Sequence, residues 1–154
     1  MCQALSRVRY SDNSRARPGS PVMSRAENMR RIRSGNTKPE LLLRRELHKR
    51  GLRYRVHFAA LPGKPDVVFS KRNVAIFVHG CFWHQHPNCI EASKPRSNQE
   101  YWRQKLQRNV ERDLRHTQQL QLLNYRVLVL WECEIEKDVD AAVDAVISIL
   151  SQND

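Results

Sequence analysis

The sequence predicts an α/β fold in which helices sandwich a mixed central sheet, and three observations lead there. Two β-branched runs, DVVFS and NVAIFVH, meet at the polar corner KRN, as the arms of a hairpin do. A long charged helical stretch separates that hairpin from the apolar run YRVLVLWEC. Helical periodicity also precedes the first strand and follows the last one. The order is α-β-β-β-α-β-α, a strand set followed by a helix and a further strand, which builds a mixed sheet with flanking helices.

The first helix is NTKPELLLRRELHKRG, residues 36–51. Thr37 and Glu40 have capping-box spacing, Pro39 suits the first turn, and Gly51 suits the position just past the end. LRYRVHF, 52–58, alternates Leu52, Tyr54, Val56 and Phe58 with polar residues, as a half-buried strand does. LPGKP is a turn, and it leads into the two hairpin strands. The next helix, 97–124, opens with a second capping-box pair, Ser97 and Glu100. Its apolar stripe is Trp102, Leu106, Val110 and Leu114. YRVLVLWEC reads as a strand buried on both faces. DVDAAVDAVISIL, 138–150, closes the chain as an amphipathic helix on Val139, Val143, Val146, Ile147 and Leu150. No internal repeat is present.

At 154 residues the chain is long enough for one compact domain. Lys and Arg number 27 against 16 Asp and Glu, a formal +11, which favours a polyanionic partner through counterion release. No run has the ~18–20 apolar residues of a membrane span, and the N-terminus lacks a secretory apolar region. The expected setting is a reducing bacterial cytoplasm, at the nucleoid when DNA is bound. There the four Cys serve as thiols or ligands. Residues 1–22, which include Cys2, read as a disordered basic leader; residues 23–154 read as the single domain. Within it, 23–36 form a basic arm or short helix.

VAIFVHGCFWHQHPNC ends a strand in a crowd of His, Cys and aromatics. Cys81, His86 and Cys89 have the spacing C-x4-H-x2-C, and Cys133 follows at the end of the last strand. A closed Cys3His set is what a structural Zn²⁺ takes. The alternative is an ordinary buried thiol at Cys133 beside a merely polar loop. In GKPDVVF, Asp66 stands at the start of a strand with Glu40 on the preceding helix. Carboxylates so placed can hold Mg²⁺ for phosphate chemistry. Pro-Asp is also a common turn pair, and Glu40 is also the capping acid; both readings stand.

The pairing of such an Asp with a hairpin resembles the restriction-endonuclease-like superfamily. The usual acid and Lys on the next strand are replaced here by IFVHG. LPGKPDVVF, VAIFVHGCFWHQH…C, YW…KLQRNVERD and YRVLVLWEC together resemble the very short patch repair endonucleases, over residues 24–133. The resemblance implies a structural zinc and a Mg²⁺-dependent endonuclease. It would nick one strand 5′ to the thymine of T:G mismatches left by deamination of 5-methylcytosine. It implies Asp66 as the metal-ligating carboxylate, the Val78 main-chain carbonyl as a second Mg²⁺ ligand, and Glu40 holding outer-shell water. His84 becomes the general base and His79 assists at the phosphate, in place of the absent Lys. Cys81, His86, Cys89 and Cys133 become the zinc ligands. Two departures stand out: Val78 where the family pattern has Thr, and one added residue between His86 and Cys89.

Phe82, Trp83 and Trp102 match the family's aromatics that wedge into the base stack beside the mismatch, and Met29 matches a residue of its minor-groove arm. A wobble pair lowers the unstacking cost of such a wedge. Trp102 on its helix stripe also reads as core. Arg25, Arg30, Arg31, Lys105, Arg108 and Arg112 are candidate phosphate contacts. The implied partner is double-stranded DNA bound by a monomer. Mismatch-repair proteins are further partners, with a functional link to a cytosine-5 DNA methyltransferase. The competing reading is a zinc-stabilised DNA-binding module without catalysis. Another is an open hydrolytic zinc site acting on something other than DNA, built from the HQH run and the cysteines.

Overall fold

The computed structural model describes residues 35–94 and 98–152. The expected leader, the arm up to Ser34 with Arg25, Met29, Arg30 and Arg31, and Ser97 lie outside the described residues. The elements are α1 (Lys38–Lys49), β1 (Arg55–Val56), β2 (Val67–Phe69), β3 (Val74–His79), α2 (Cys81–His84), α3 (Gln99–Leu122), β4 (Arg126–Trp131), α4 (Glu132–Lys137) and α5 (Val139–Ser151). The expected order holds, with two short helices, α2 and α4, added at the ends of β3 and β4.

The sheet runs β1-β2-β3-β4. β1 and β2 are antiparallel, β2 and β3 form the expected hairpin with Val67 opposite Ile76, and β3 runs parallel to β4 with His79 opposite Trp131. Strand alternation divides the core in two. Val67, Phe69, Val74 and Ile76 face Leu43 and Leu47 of α1, Ile135 of α4, and Val143 and Val146 of α5. Val68, Ala75 and Phe77 pack on the other face with Leu61 and Leu120 of α3. This is the mixed sandwich the periodicities predict.

Helix α1 stops as expected. Gly51 takes φ +77, its N–H reaches the His48 carbonyl at 3.0 Å, and the Leu52 N–H reaches that of Leu47 at 3.1 Å. The first capping box does not form as predicted, and the second rests on Ser97, outside the described residues. Thr37 caps no backbone N–H and instead donates its hydroxyl to Glu40 Oε1 at 2.9 Å. Helix α3 begins at Asn98 in a left-handed conformation, and Glu100 pairs with Arg103 at 2.8 Å.

Three further expectations need correction. β1 spans two residues and leaves Val56 exposed, because the chain leaves the sheet edge at His57 with φ +45. β4 is not buried on both faces: as the other edge strand it has only Leu130 fully buried. The α3 stripe is buried at Trp102 and Leu106, but Val110 is 38 % exposed and Leu114 59 %. A repeat of four residues advances about 40° per step around a helix of 3.6 residues per turn, so it rotates out of the core after two turns.

Candidate active site and metal centre

The C-terminal ends of β3 and β4 lie side by side in parallel register, so the helix starts that leave the two strands are brought together. Cys81 opens α2 after β3, and Cys133 lies in the first turn of α4 rather than at the end of β4. Glu132 Oε1 accepts the Cys81 N–H at 2.7 Å, tying the two helix starts together. Cys81, His86, Cys89 and Cys133 converge, their ligand atoms all within 4.8 Å of one another. His86 Nδ1 stands 3.5 Å from Cys81 Sγ and 3.3 Å from Cys133 Sγ, and the Cys89 and Cys133 sulfurs are 3.9 Å apart. A tetrahedral zinc with ordinary bond lengths has S···S edges of about 3.8 Å and S···N edges of about 3.5 Å. The set therefore fits that ion. Burial pushes the Cys81 thiol up to about 12, so the metal-free cluster holds its proton there.

The imidazole is aimed by groups that the sequence pattern does not reveal. His86 stacks on Trp131, centroids 4.2 Å apart and planes 9° apart, and its far nitrogen, Nε2, lies 3.8 Å from Glu134 Oε1. A carboxylate behind a ligating histidine fixes the ring and strengthens it as a ligand. The edge of Trp131 also meets His79, centroids 5.5 Å apart, so one indole supports both the cysteine cluster and the histidines beside it.

Asp66 sits one residue before β2. Its Oδ2 accepts the Val78 N–H at 2.8 Å, which fixes the carboxylate to the end of β3, next to His79. Burial pushes the Asp66 carboxyl up to about 6, against the Val78 hydrogen bond, and nearby Glu40 adds to the rise. Glu40 is only 4 % exposed. It accepts from the Asn36 N–H at 2.8 Å, from Thr37, and from Arg44 in an ion pair of 2.9 Å. A ligand atom of the same carboxylate lies within 4.8 Å of ligand atoms of His57 and Asp66. This cluster pairs the buried Glu40 carboxylate with the partly buried Asp66, whose affinity for protons is raised, a donor set that suits a hard divalent cation.

On the other side of β3, His79 stacks on His84 with centroids 3.9 Å apart and planes 10° apart. Burial, and then the nearby His84, lower His79 to about 4, so its ring stays neutral across the physiological range. His84 Nδ1 lies 2.5 Å from Asp113 Oδ2 of α3. Burial alone would raise Asp113; the His84 hydrogen bond and the neighbouring rings outweigh it and hold that carboxyl below its ordinary value. Asn109, one turn earlier, donates to the Trp83 carbonyl at 3.1 Å. Asp113 and Asn109 escape a search for apolar stripes, yet they are polar residues at inward positions of α3. That is the signal by which they could have been found.

Phe82, Trp83 and Trp102 form one aromatic cluster, with centroids 5.1, 5.5 and 6.0 Å apart. Phe82 and Trp83 are half-buried, whereas Trp102 is 4 % exposed, as its place on the helix stripe also predicts. Lys105 Nζ lies 6.0 Å from the centre of the Trp83 ring. Lys105, Arg108 and Arg112 fall within about 60° of one another around α3, by its spacing of 3.6 residues per turn. Arg112 also contacts Asp113 at 3.1 Å. Among the described residues no helix is long and apolar enough to cross a membrane.

The family described as DNA mismatch endonuclease Vsr matches residues 21–90. The type II nicking enzyme V.NmeAIP of Neisseria meningitidis serogroup A is 42 % identical, over 70 % of this chain and 76 % of its own length. The DNA mismatch endonuclease Vsr of Escherichia coli K12 is 43 % identical, over 78 % of each chain. V.NaeI of Lentzea aerocolonigenes, also a type II nicking enzyme, is 46 % identical, over 77 % of this chain and 74 % of its own. At such identity over most of both lengths, the chain belongs to the Vsr, or very short patch repair, family of DNA mismatch endonucleases within the restriction-endonuclease-like superfamily.

Proposed function

We propose that this protein nicks one strand of double-stranded DNA 5′ to the thymine of a T:G mismatch, with Asp66 as the anchor of a Mg²⁺ ion. Membership of the family makes it a site- and mismatch-specific DNA endonuclease. The observation that carries the mechanism is the junction at the end of β3. The backbone of Val78 holds the buried Asp66 carboxylate, and the adjoining His79 stacks on a histidine that a second carboxylate orients.

Asp66, the Val78 main-chain carbonyl and, through outer-shell water, Glu40 would hold the ion. When bound, it would draw charge from the scissile phosphate and acidify nearby water. The chain's own groups do the rest. Asp113 accepts the Nδ1 proton of His84, which leaves the lone pair on Nε2, the nitrogen that takes a proton from the attacking water. His79, neutral because it is buried, acts as a hydrogen-bonding partner of the phosphate rather than as a cation. Cys81, His86, Cys89 and Cys133 would hold a structural Zn²⁺ that fixes α2, and α2 carries Phe82, Trp83 and His84 on consecutive residues. The aromatic wedge and the base are thus set on one short helix. Phe82, Trp83 and, once uncovered, Trp102 enter the stack at the mismatch, with Met29 from the arm. Lys105, Arg108 and Arg112 follow the backbone, together with Arg25, Arg30 and Arg31. A T:G pair unstacks at lower cost than a Watson–Crick pair, which is one source of selectivity.

The test is a nicking assay on matched and T:G duplexes with and without Mg²⁺. Asp66→Ala should remove nicking of the T:G duplex and leave its binding. Retained activity in that variant, or equal nicking of the matched duplex, would reject the proposal.

A further inference from the structure

We infer that His57 is a positioning residue for Asp66, holding the carboxylate oxygen that the backbone does not hold; the inference rests on the reading of Asp66 as the metal anchor. Asp66 Oδ2 already accepts the Val78 N–H. The other oxygen, Oδ1, faces His57 Nδ1 at 3.7 Å, a gap that a small rotation of either side chain closes to a hydrogen bond.

The protonation of that ring follows from its other nitrogen. Arg44 lies 3.0 Å from His57 Nε2, and a guanidinium can only donate. Nε2 therefore carries the lone pair and the ring proton sits on Nδ1, the atom that faces Asp66. Arg44 is fixed in turn. It donates to Glu40 Oε2 at 2.9 Å and to Asn36 Oδ1 at 2.7 Å. The same Asn36 oxygen lies 3.4 Å from His57 Nε2. The guanidinium, held by Glu40 and Asn36, thus aims the ring.

Two independent features of the backbone point the same way. His57 takes φ +45, a left-handed conformation that a residue with a β-carbon adopts at some cost. Gly35 lies against the same ring: a β-carbon there would come within 3.2 Å of Cε1. The chain bends at an unfavourable angle and leaves room beside it so that one imidazole stands between Glu40 and Asp66. The ring stands 3.7 Å from an oxygen of each carboxylate, one on either nitrogen. A donor to the free oxygen of Asp66 turns the carboxylate plane and sets which lone pair an ion meets.

The test measures Mn²⁺ binding to the DNA-free protein by electron paramagnetic resonance, alongside nicking kinetics. Asp66→Asn should abolish the site. His57→Phe, which keeps a ring of similar shape without nitrogens, should weaken Mn²⁺ binding and lower kcat by about 10-fold or more with the KM for DNA unchanged. His57→Gln, which offers an amide N–H, should recover most of both. If His57→Phe fails to fold, His57→Leu takes its place. Mn²⁺ binding in His57→Phe equal to the parent, or a Gln variant as impaired as the Phe one, overturns the role given to His57 and leaves the proposed function intact. Unchanged Mn²⁺ binding in Asp66→Asn overturns the metal anchor itself, and the inference with it.

Discussion

Replacing Asp66 by Asn should stabilise the Mg²⁺-free protein while it removes activity. The carboxyl is 15 % exposed, and burial raises it from 3.8 to about 6. The folded state therefore keeps the proton to higher pH than the unfolded chain does. Its stability falls as pH climbs through that interval, with the full penalty above the folded value and none below the unfolded one. A displacement of that size corresponds to ~3 kcal/mol at pH 8 and, since much of the folded population is protonated by then, to ~1.5 kcal/mol at pH 5. Asn is uncharged at both and can still accept the Val78 N–H. Urea unfolding in Mg²⁺-free buffer, without a chelator that could strip the cysteine cluster, compares the two proteins at each pH. The variant should be more stable by up to ~3 kcal/mol at pH 8, and its advantage should shrink by roughly half at pH 5. Added Mg²⁺ should then stabilise the parent and leave the variant unchanged. A variant no more stable than the parent at pH 8, or an advantage independent of pH, refutes the account of Asp66 as a buried charge awaiting a cation.

Asp113→Asn keeps the shape of the side chain but lets the amide donate to His84, which favours the wrong tautomer. Steady-state kinetics should show kcat reduced ~10²–10⁴-fold with duplex affinity retained, and an unchanged kcat would refute the base assignment. Cys89→Ser should lower bound zinc, measured by elemental analysis, and reduce the unfolding free energy by several kcal/mol, because ligation free energy is folding free energy. Normal stability without zinc would refute the structural role. Trp83→Ala should lower the ratio of T:G to matched nicking about 10-fold or more, in line with the few kcal/mol of an unstacked step, and an unchanged ratio would exclude Trp83 from the wedge. Neutralising Lys105 and Arg108 together should reduce the salt slope of duplex binding by about 2, and an unchanged slope would remove both from the phosphate contacts.

The framework was legible because its signals are local. The hairpin of β2 and β3 follows from two β-branched runs about a polar corner, and the end of α1 from Gly51 with its left-handed φ. The cysteine cluster was legible through ligand spacing, since C-x4-H-x2-C closes on itself and needs only Cys133, from the helix start that follows the neighbouring strand. The remainder of the site depends on tertiary neighbours. Asn36, Glu40 and Arg44 share the α1 segment, and Glu40 and Arg44 are a local i,i+4 pair, but nothing in that pattern marks their meeting with His57 and Asp66.

Helix α3 shows the physical reason most plainly. Its apolar residues at four-residue intervals suggest a continuous stripe, yet the helix turns Val110 and Leu114 outward and brings Asn109 and Asp113 toward α2. A helix optimised only for burial would place Leu or Val at those two inward positions, at a gain of roughly 1.5–3 kcal/mol for each side chain fully buried. The polar residues forgo that gain, and each has a defined partner: the Trp83 carbonyl for Asn109 and His84 Nδ1 for Asp113. Both partners lie on α2, the helix that Cys81 opens. The departure from regular packing therefore ties one short helix, which carries Phe82, Trp83 and His84 in succession, to the inward polar pair of α3.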